Sequence, residues 1–137
     1  MVSSRRRDEG LIHASAFGNV RMARYLLAKG AKVNSTNRRG ETPLSYAATW
    51  NQLQIVKLLL KSGADPNVSD QNGATPLMWA AQHADPEVIE ALLKFGAKPS
   101  AKDAAGHTAQ LHVSWRKSSK ERPRILKLLD GANRARS

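Results

Sequence analysis

Apolar residues in this chain fall into short clusters that return at a fixed interval. Leu44, Ala47 and Ala48 lie at helical spacing behind Thr42-Pro43 and predict a short helix with one face of small residues. Asn51-Gln52 breaks it, and Ile55, Val56, Leu58, Leu59 and Leu60 then predict a second, more apolar helix. The plan recurs downstream. Thr75-Pro76-Leu77-Met78-Trp79-Ala80-Ala81 predicts a first helix, and Val88, Ile89, Leu92 and Leu93 form the buried stripe of a second. Pro43 and Pro76 suit the first helical position, where a missing N–H would be unpaired anyway. Asp85 reads as a cap, Pro86 as the first helical residue, and Glu87 stands at the positive end of the helix dipole.

The polar segments between these clusters have turn chemistry. Asn37-Arg38-Arg39-Gly40 and Asp70-Gln71-Asn72-Gly73 each end on a glycine free to take a positive φ, and Thr42 is placed to cap the helix that follows. Gly63 fits the left-handed position after a second helix. Gly40-Glu41-Thr42-Pro43-Leu44 returns 33 residues later as Gly73-Ala74-Thr75-Pro76-Leu77, and Gly106-His107-Thr108 starts a third copy. Gly30-Ala31, Gly63-Ala64-Asp65 and Gly96-Ala97 keep the same period. Two landmarks on one period predict a stacked repeat array in which no single unit buries its own apolar face.

Thr-Pro-Leu-x-x-Ala-Ala followed by Gly-Ala-Asp-x-Asn at this spacing resembles the ankyrin repeat, over residues 4–133 and most specifically in the two middle units. The resemblance implies an all-α solenoid of stacked helix–turn–helix units with β-hairpin-like turns projecting to one side. It implies a single domain over 1–137, with units near 4–36, 37–69, 70–102 and 103–133 and a basic C-terminal end at 116–137. The outer units depart from the pattern. The first has Leu11-Ile12-His13-Ala14-Ser15 in place of Thr-Pro, and its second helix runs from Val20 through Ala28. The last has Ala109 where proline belongs and Gln110 where a buried leucine would sit, and a one-residue shift would put Leu111 in that slot. Both registers are open. An insertion, Arg116 to Arg122, separates its two helices. Terminal repeats need a polar outer face, which accounts for such oddities.

Charge adds a bias to this picture. The net charge of +11 is uneven: residues 1–61 carry 11 basic and 3 acidic side chains, residues 62–93 none and 5, and residues 94–137 again 11 and 3. Such a field can select partners, although Lys and Arg also simply keep an elongated array soluble. The stretch from Arg116 to Arg124 has four readings: a nuclear-import signal, a phosphate-backbone contact, a phosphorylatable loop, or a solvated capping loop. Cysteine is absent, which excludes disulfides and thiolate metal sites. No run approaches a membrane span, and no apolar stretch follows the N-terminal charges, so a cytoplasmic or nuclear location is expected. Asn34-Ser35-Thr36 and Asn67-Val68-Ser69 match the glycosylation pattern, but without secretion the match is accidental.

No phosphate-binding loop, dinucleotide fingerprint or zinc-protease motif occurs, and Asp65, Asp70, Asp85 and Asp103 fall at turns and caps. None of His13, His83, His107 and His112 has carboxylate or histidine neighbours at recognised metal-ligand spacing, so neither an active site nor a cofactor is expected. The family's surface positions, carried onto the matching residues, instead imply a binding face. Turn tips would be Arg38, Arg39 and Glu41, then Gln71, Asn72 and Ala74, then Ala104, Ala105 and His107. The concave face would show Phe17, Tyr46, Trp50, Trp79 and His83, extended by His112 or Trp115. Aromatic side chains are typical interface anchors, but Tyr46 and Trp79 also suit packing between successive helices. The expected function is a non-enzymatic protein-interaction module, a monomer with an acidic partner favoured beside the first two units. The alternative is binding of nucleic acid or another polyanion through the basic ends.

Overall fold

The computed structural model describes residues 3–135, so residues 1, 2, 136 and 137 of the single-domain reading lie outside the described residues. Eight helices form among them: α1 Ser4–Phe17, α2 Val20–Ala28, α3 Pro43–Thr49, α4 Leu53–Lys61, α5 Pro76–His83, α6 Pro86–Lys94, α7 Ala109–Val113 and α8 Arg122–Ala135. They pack as four antiparallel pairs in two layers. α1, α3, α5 and α7 stack in sequence as one layer, and α2, α4, α6 and α8 as the other. One continuous core lies between the layers. Ala47, Ala48, Ala80 and Ala81 let the first helices approach closely, while Ile55, Val56, Leu59, Val88, Ile89 and Leu92 fill the space beneath the second helices.

The turns ahead of α3, α5 and α7 are hairpin-like but contain no ladder long enough to be a strand among the described residues. Each is closed by a backbone bond across five residues, from Asn37 to Glu41, Asp70 to Ala74 and Asp103 to His107. Each is also braced by one side-chain oxygen. Oδ1 of Asn37, Asp70 and Asp103 accepts the backbone N–H groups two and four residues further on. This supplies partners for donors that the tight turn leaves without any. Successive turns are joined through their backbones, Gln71 N–H to Arg39 C=O at 2.8 Å and Ala104 N–H to Asn72 C=O at 2.9 Å. A Cβ at Gly73 would stand 2.8 Å from the Ala104 nitrogen, and φ is +74° there, so only glycine fits.

On the opposite edge an asparagine ladder ties neighbouring units. Asn34 donates to Gly63 C=O and accepts from Asp65 N–H; Asn67 does the same with Gly96 and Lys98. Both asparagines of the glycosylation pattern are thus built into the stack. Thr42 and Ser45 form a reciprocal capping box at the start of α3. In the next unit Met78 stands where Ser45 did, and the Thr75 hydroxyl is buried without a partner. Asp85 occupies the cap position of α6, yet its side chain makes no cap bond. Its carboxylate accepts from the Asn51 side-chain amide at 3.0 Å, and its N–H returns a bond to Asn51 Oδ1.

The last unit settles what the residues left open. α7 starts at Ala109 in the unshifted register, with Thr108 as its cap residue. Gln110 is exposed and Leu111 is 43% exposed, so neither fills the leucine slot; Ala109, His112 and Val113 face inward instead. The segment after α7 is not simply a solvated loop. Arg116 is buried, and its Nη1 donates to the carbonyls of Ala81 at 2.9 Å and Ala80 at 3.3 Å near the C-terminal end of α5. Those carbonyls carry the negative end of the dipole, which favours a cation there. Arg122 Nη2 in turn donates to the Arg116 carbonyl at 2.7 Å, closing the insertion onto itself. Arg124 reaches Glu87 at 3.2 Å, an exposed pair worth about 0–1 kcal/mol.

Leu59 is fully buried and touches the shared core, whereas Leu111 lies half in solvent. Leu59→Ala is expected to cost roughly 2–5 kcal/mol as a shift of the urea midpoint at unchanged slope. Leu111→Ala should move it by no more than about 0.5 kcal/mol. Equal effects at the two positions would overturn both the core assignment and the α7 register.

Candidate functional site

Because the units repeat every 33 residues, the first helices present their side chains in columns. The inner column is His13, Tyr46, Trp79 and His112, and the outer is Phe17, Trp50, His83 and Arg116. Tyr46, Trp79 and His112 in the inner column are held by the turns, while His13 is exposed. The Tyr46 hydroxyl donates to Glu41 Oε1 at 2.9 Å, while the Asn37 amide donates to both Glu41 and the Tyr46 oxygen. Burial, and then the Glu41 carboxylate, push the Tyr46 hydroxyl above its ordinary pKa, so it stays a neutral donor. One unit on, Trp79 Nε1–H donates to Asp70 Oδ2 at 3.2 Å; in the last, His112 Nε2 lies 2.9 Å from Asp103 Oδ2. The same slot therefore holds tyrosine, tryptophan and histidine, each with its polar end bonded to the turn nine residues back.

The outer-column groups of the first three units are presented to solvent, while Arg116 is buried. Phe17 is 80% exposed and Trp50 61%. His83 is exposed beside Trp79, its ring stacked at 15° with centroids 6.3 Å apart. Partial desolvation, followed by the charges of Arg116 and Lys117, lowers the His83 pKa from the ordinary imidazole value. Shallow clefts run beside the columns. One of about 60 Å³ is lined by Glu41, Ser45, Tyr46, Thr49, Trp50 and Trp79, and another of about 170 Å³ by Glu9, Ile12, His13, Ala16, Asn37 and Tyr46. Trp115 closes the row, exposed and edge-on to His107 and His112.

The residues expected at the binding face thus divide by environment. Phe17, Trp50 and His83 share one exposed column, and Tyr46, Trp50 and Trp79 share one cleft with Glu41. Tyr46 and Trp79 are half-buried and bonded to their turns, so packing and a lining role coexist in them. Arg38, Arg39, Gln71 and Asn72 project from the tips as exposed side chains. Glu41 is engaged inside its own turn, and His107 is half-buried against Trp115. His112 is buried and lies behind this face.

One grouping escaped the sequence reading. Asp103, His107 and His112 bring their ligand atoms within 4.8 Å of one another, although no histidine was expected to have such neighbours. The signal was present in the repeat itself, since Asn37, Glu41 and Tyr46 occupy the same three slots and are also mutually bonded. Burial disfavours the Asp103 carboxylate, but the N–H of His107, the His112 side chain and the N–H of Ala105 outweigh it and hold its pKa below the ordinary value.

A family model for ankyrin repeats, three copies, matches residues 3–70 and again 60–133. The chain belongs to the ankyrin-repeat family. Among curated proteins none matches it. Ankyrin repeats are in general protein–protein interaction modules and typically non-enzymatic. No described helix is long and apolar enough to cross a membrane.

His83 is expected to titrate below an unstructured histidine in an NMR pH series. A depressed folded pKa means that its contribution to stability is complete above the unfolded pKa and is lost as pH falls through the folded one. Lys117→Gln should raise the midpoint only partly, because desolvation is the larger cause. A midpoint at or above the free-histidine value would contradict this placement.

Proposed function

We propose that this ankyrin-repeat chain is a non-enzymatic adaptor that binds a partner protein along its first-helix layer, with the turn tips as a polar rim. The observation that carries the reading is the exposed column Phe17, Trp50 and His83. Three ring-bearing side chains at one repeat position leave apolar surface in water, in register, on a rigid support. Such surface is a cost to a free monomer and a gain once covered. Because Tyr46 and Trp79 are fixed by their turns, the floor between the columns needs little ordering on binding. Apolar side chains of the partner would enter the clefts beside Trp50 and Tyr46. Arg38 and Arg39 at the rim, with the basic balance of residues 1–61, favour an acidic partner there and a faster encounter. The chain acts in this reading as a monomer in the cytoplasm or nucleus.

The test is capture of partners from cell extract, with and without nuclease, by wild type and by Phe17→Ala/Trp50→Ala/His83→Ala. Trp79 is left intact because it braces the Asp70 turn. Aromatic anchors at interfaces are worth about 2 kcal/mol or more each, so affinity for a nuclease-resistant partner should fall by at least about 30-fold. The variant should unfold as wild type does, since all three side chains are exposed. Capture that vanishes with nuclease and ignores these substitutions would move the function to nucleic acid and the basic ends.

A further inference from the structure

We propose that Asp103, His107 and His112 form a binding site for a divalent transition-metal ion, Zn²⁺ by chemistry, at the last hairpin of the array. Nothing in the binding face described above requires it. The three side chains come from one turn and the helix it feeds. His112 Nε2 lies 2.9 Å and His107 Nδ1 3.6 Å from the same oxygen, Asp103 Oδ2. Two imidazole nitrogens and one carboxylate oxygen are a common donor set for Zn²⁺, and soft thiolates are not needed. With metal–ligand distances near 2.0–2.2 Å, tetrahedral ligands stand roughly 3.4 Å apart. The two spacings to Asp103 Oδ2 bracket that value and no pair of the three ligand atoms lies beyond 4.8 Å, so side-chain shifts of up to roughly 1.5 Å would complete the set.

What distinguishes the cluster from a chance contact is the way its ligands are held. Oδ1 of Asp103 is committed to the N–H groups of Ala105 and His107, which aims Oδ2 at the two imidazoles. The far nitrogen of His112, Nδ1, lies 2.7 Å from the Gln82 side-chain amide on α5. Turning that amide over presents its oxygen to an Nδ1–H, the outer-shell bond that fixes a metal-bound histidine in its tautomer. Trp115 packs edge-on against both rings, with centroids 5.1 Å from His107 and 4.7 Å from His112. His112 has 7% of its side chain exposed and His107 36%, so the site has a closed back and an open front. A water would take the fourth position there. Metal entry at Nε2 displaces the proton that His112 gives Asp103, and the imidazole takes one up at Nδ1 through solvent, so His112 stays neutral and changes only its tautomer.

The repeat supplies its own control substitutions. Ala74 fills the His107 slot one unit earlier, and Asn37 fills the Asp103 slot while bracing its turn through the same two N–H bonds. His107→Ala and Asp103→Asn are therefore expected to fold. Zn²⁺ titrated calorimetrically into the full chain, in competition with a chromophoric chelator, should bind as one ion per chain. Affinity should drop about tenfold or more in either variant and about 10–100-fold in Gln82→Ala, with His83→Ala unchanged. Bound Zn²⁺ should also raise the melting temperature of wild type and not of His107→Ala. No saturable Zn²⁺ binding by wild type, or equal binding by wild type and His107→Ala, would overturn the site. Should Asp103→Asn fail to fold, His107→Ala decides alone.

Discussion

One side chain in each of the last three units, used at both of its polar atoms, organises this molecule. Asn37, Asp70 and Asp103 each give one oxygen to two backbone N–H groups of their own turn and the second atom to a residue nine positions on. The first contact makes a five-residue hairpin possible without buried unpaired donors. The second fixes the angle at which the following helix leaves the hairpin, because a half-buried ring is bonded at its polar tip. Backbone bonds between successive turns then set the spacing of the whole stack. Each of these needs the one before it.

The exposed face of the first-helix layer follows from that constraint. With Tyr46 and Trp79 held inward by their turns, the residue four positions on is directed to the open end of each first helix. Phe17, Trp50 and His83 stand there, and in the last unit Arg116 turns inward instead to meet the carbonyls of Ala80 and Ala81. The column therefore ends in a structural cap, not in a fourth exposed ring. Desolvation of the Arg116 guanidinium lowers its pKa, yet the two carbonyls at the end of α5 give the charge a partner. The same three turn slots that hold Asn, Glu and Tyr in one unit hold Asp, His and His in another. Repeats permit this kind of change, since geometry is inherited from the stack and chemistry is free to vary.

Local chemistry in the sequence carried most of the fold. Thr-Pro at 42–43 and 75–76, the glycines at 40, 63 and 73, and the apolar stripes of α4 and α6 announce their elements directly. The register of α7 was not legible, because Gln110 and Leu111 are both exposed and hydrophobicity alone cannot rank two exposed positions. Nor was the role of Arg116, whose partners lie 35 and 36 residues away on another unit. At the site, the exposure of Phe17 and Trp50 followed from their place at helix ends. The histidine cluster did not. Its members are four, five and nine residues apart, a spacing that matches no ligand motif and becomes a cluster only when the hairpin folds back on its helix.

The most direct measurement is photo-crosslinking in cell extract from a benzophenone amino acid placed at residue 50 or 83 of the first-helix layer, or at residue 25 or 57 of the opposite layer. All four positions are exposed, so the chain should tolerate each replacement. Crosslinks to a common protein from 50 and 83, with none from 25 and 57, are the expected result. Crosslinks from 25 and 57 alone would contradict the assignment and place the partner on the second-helix face.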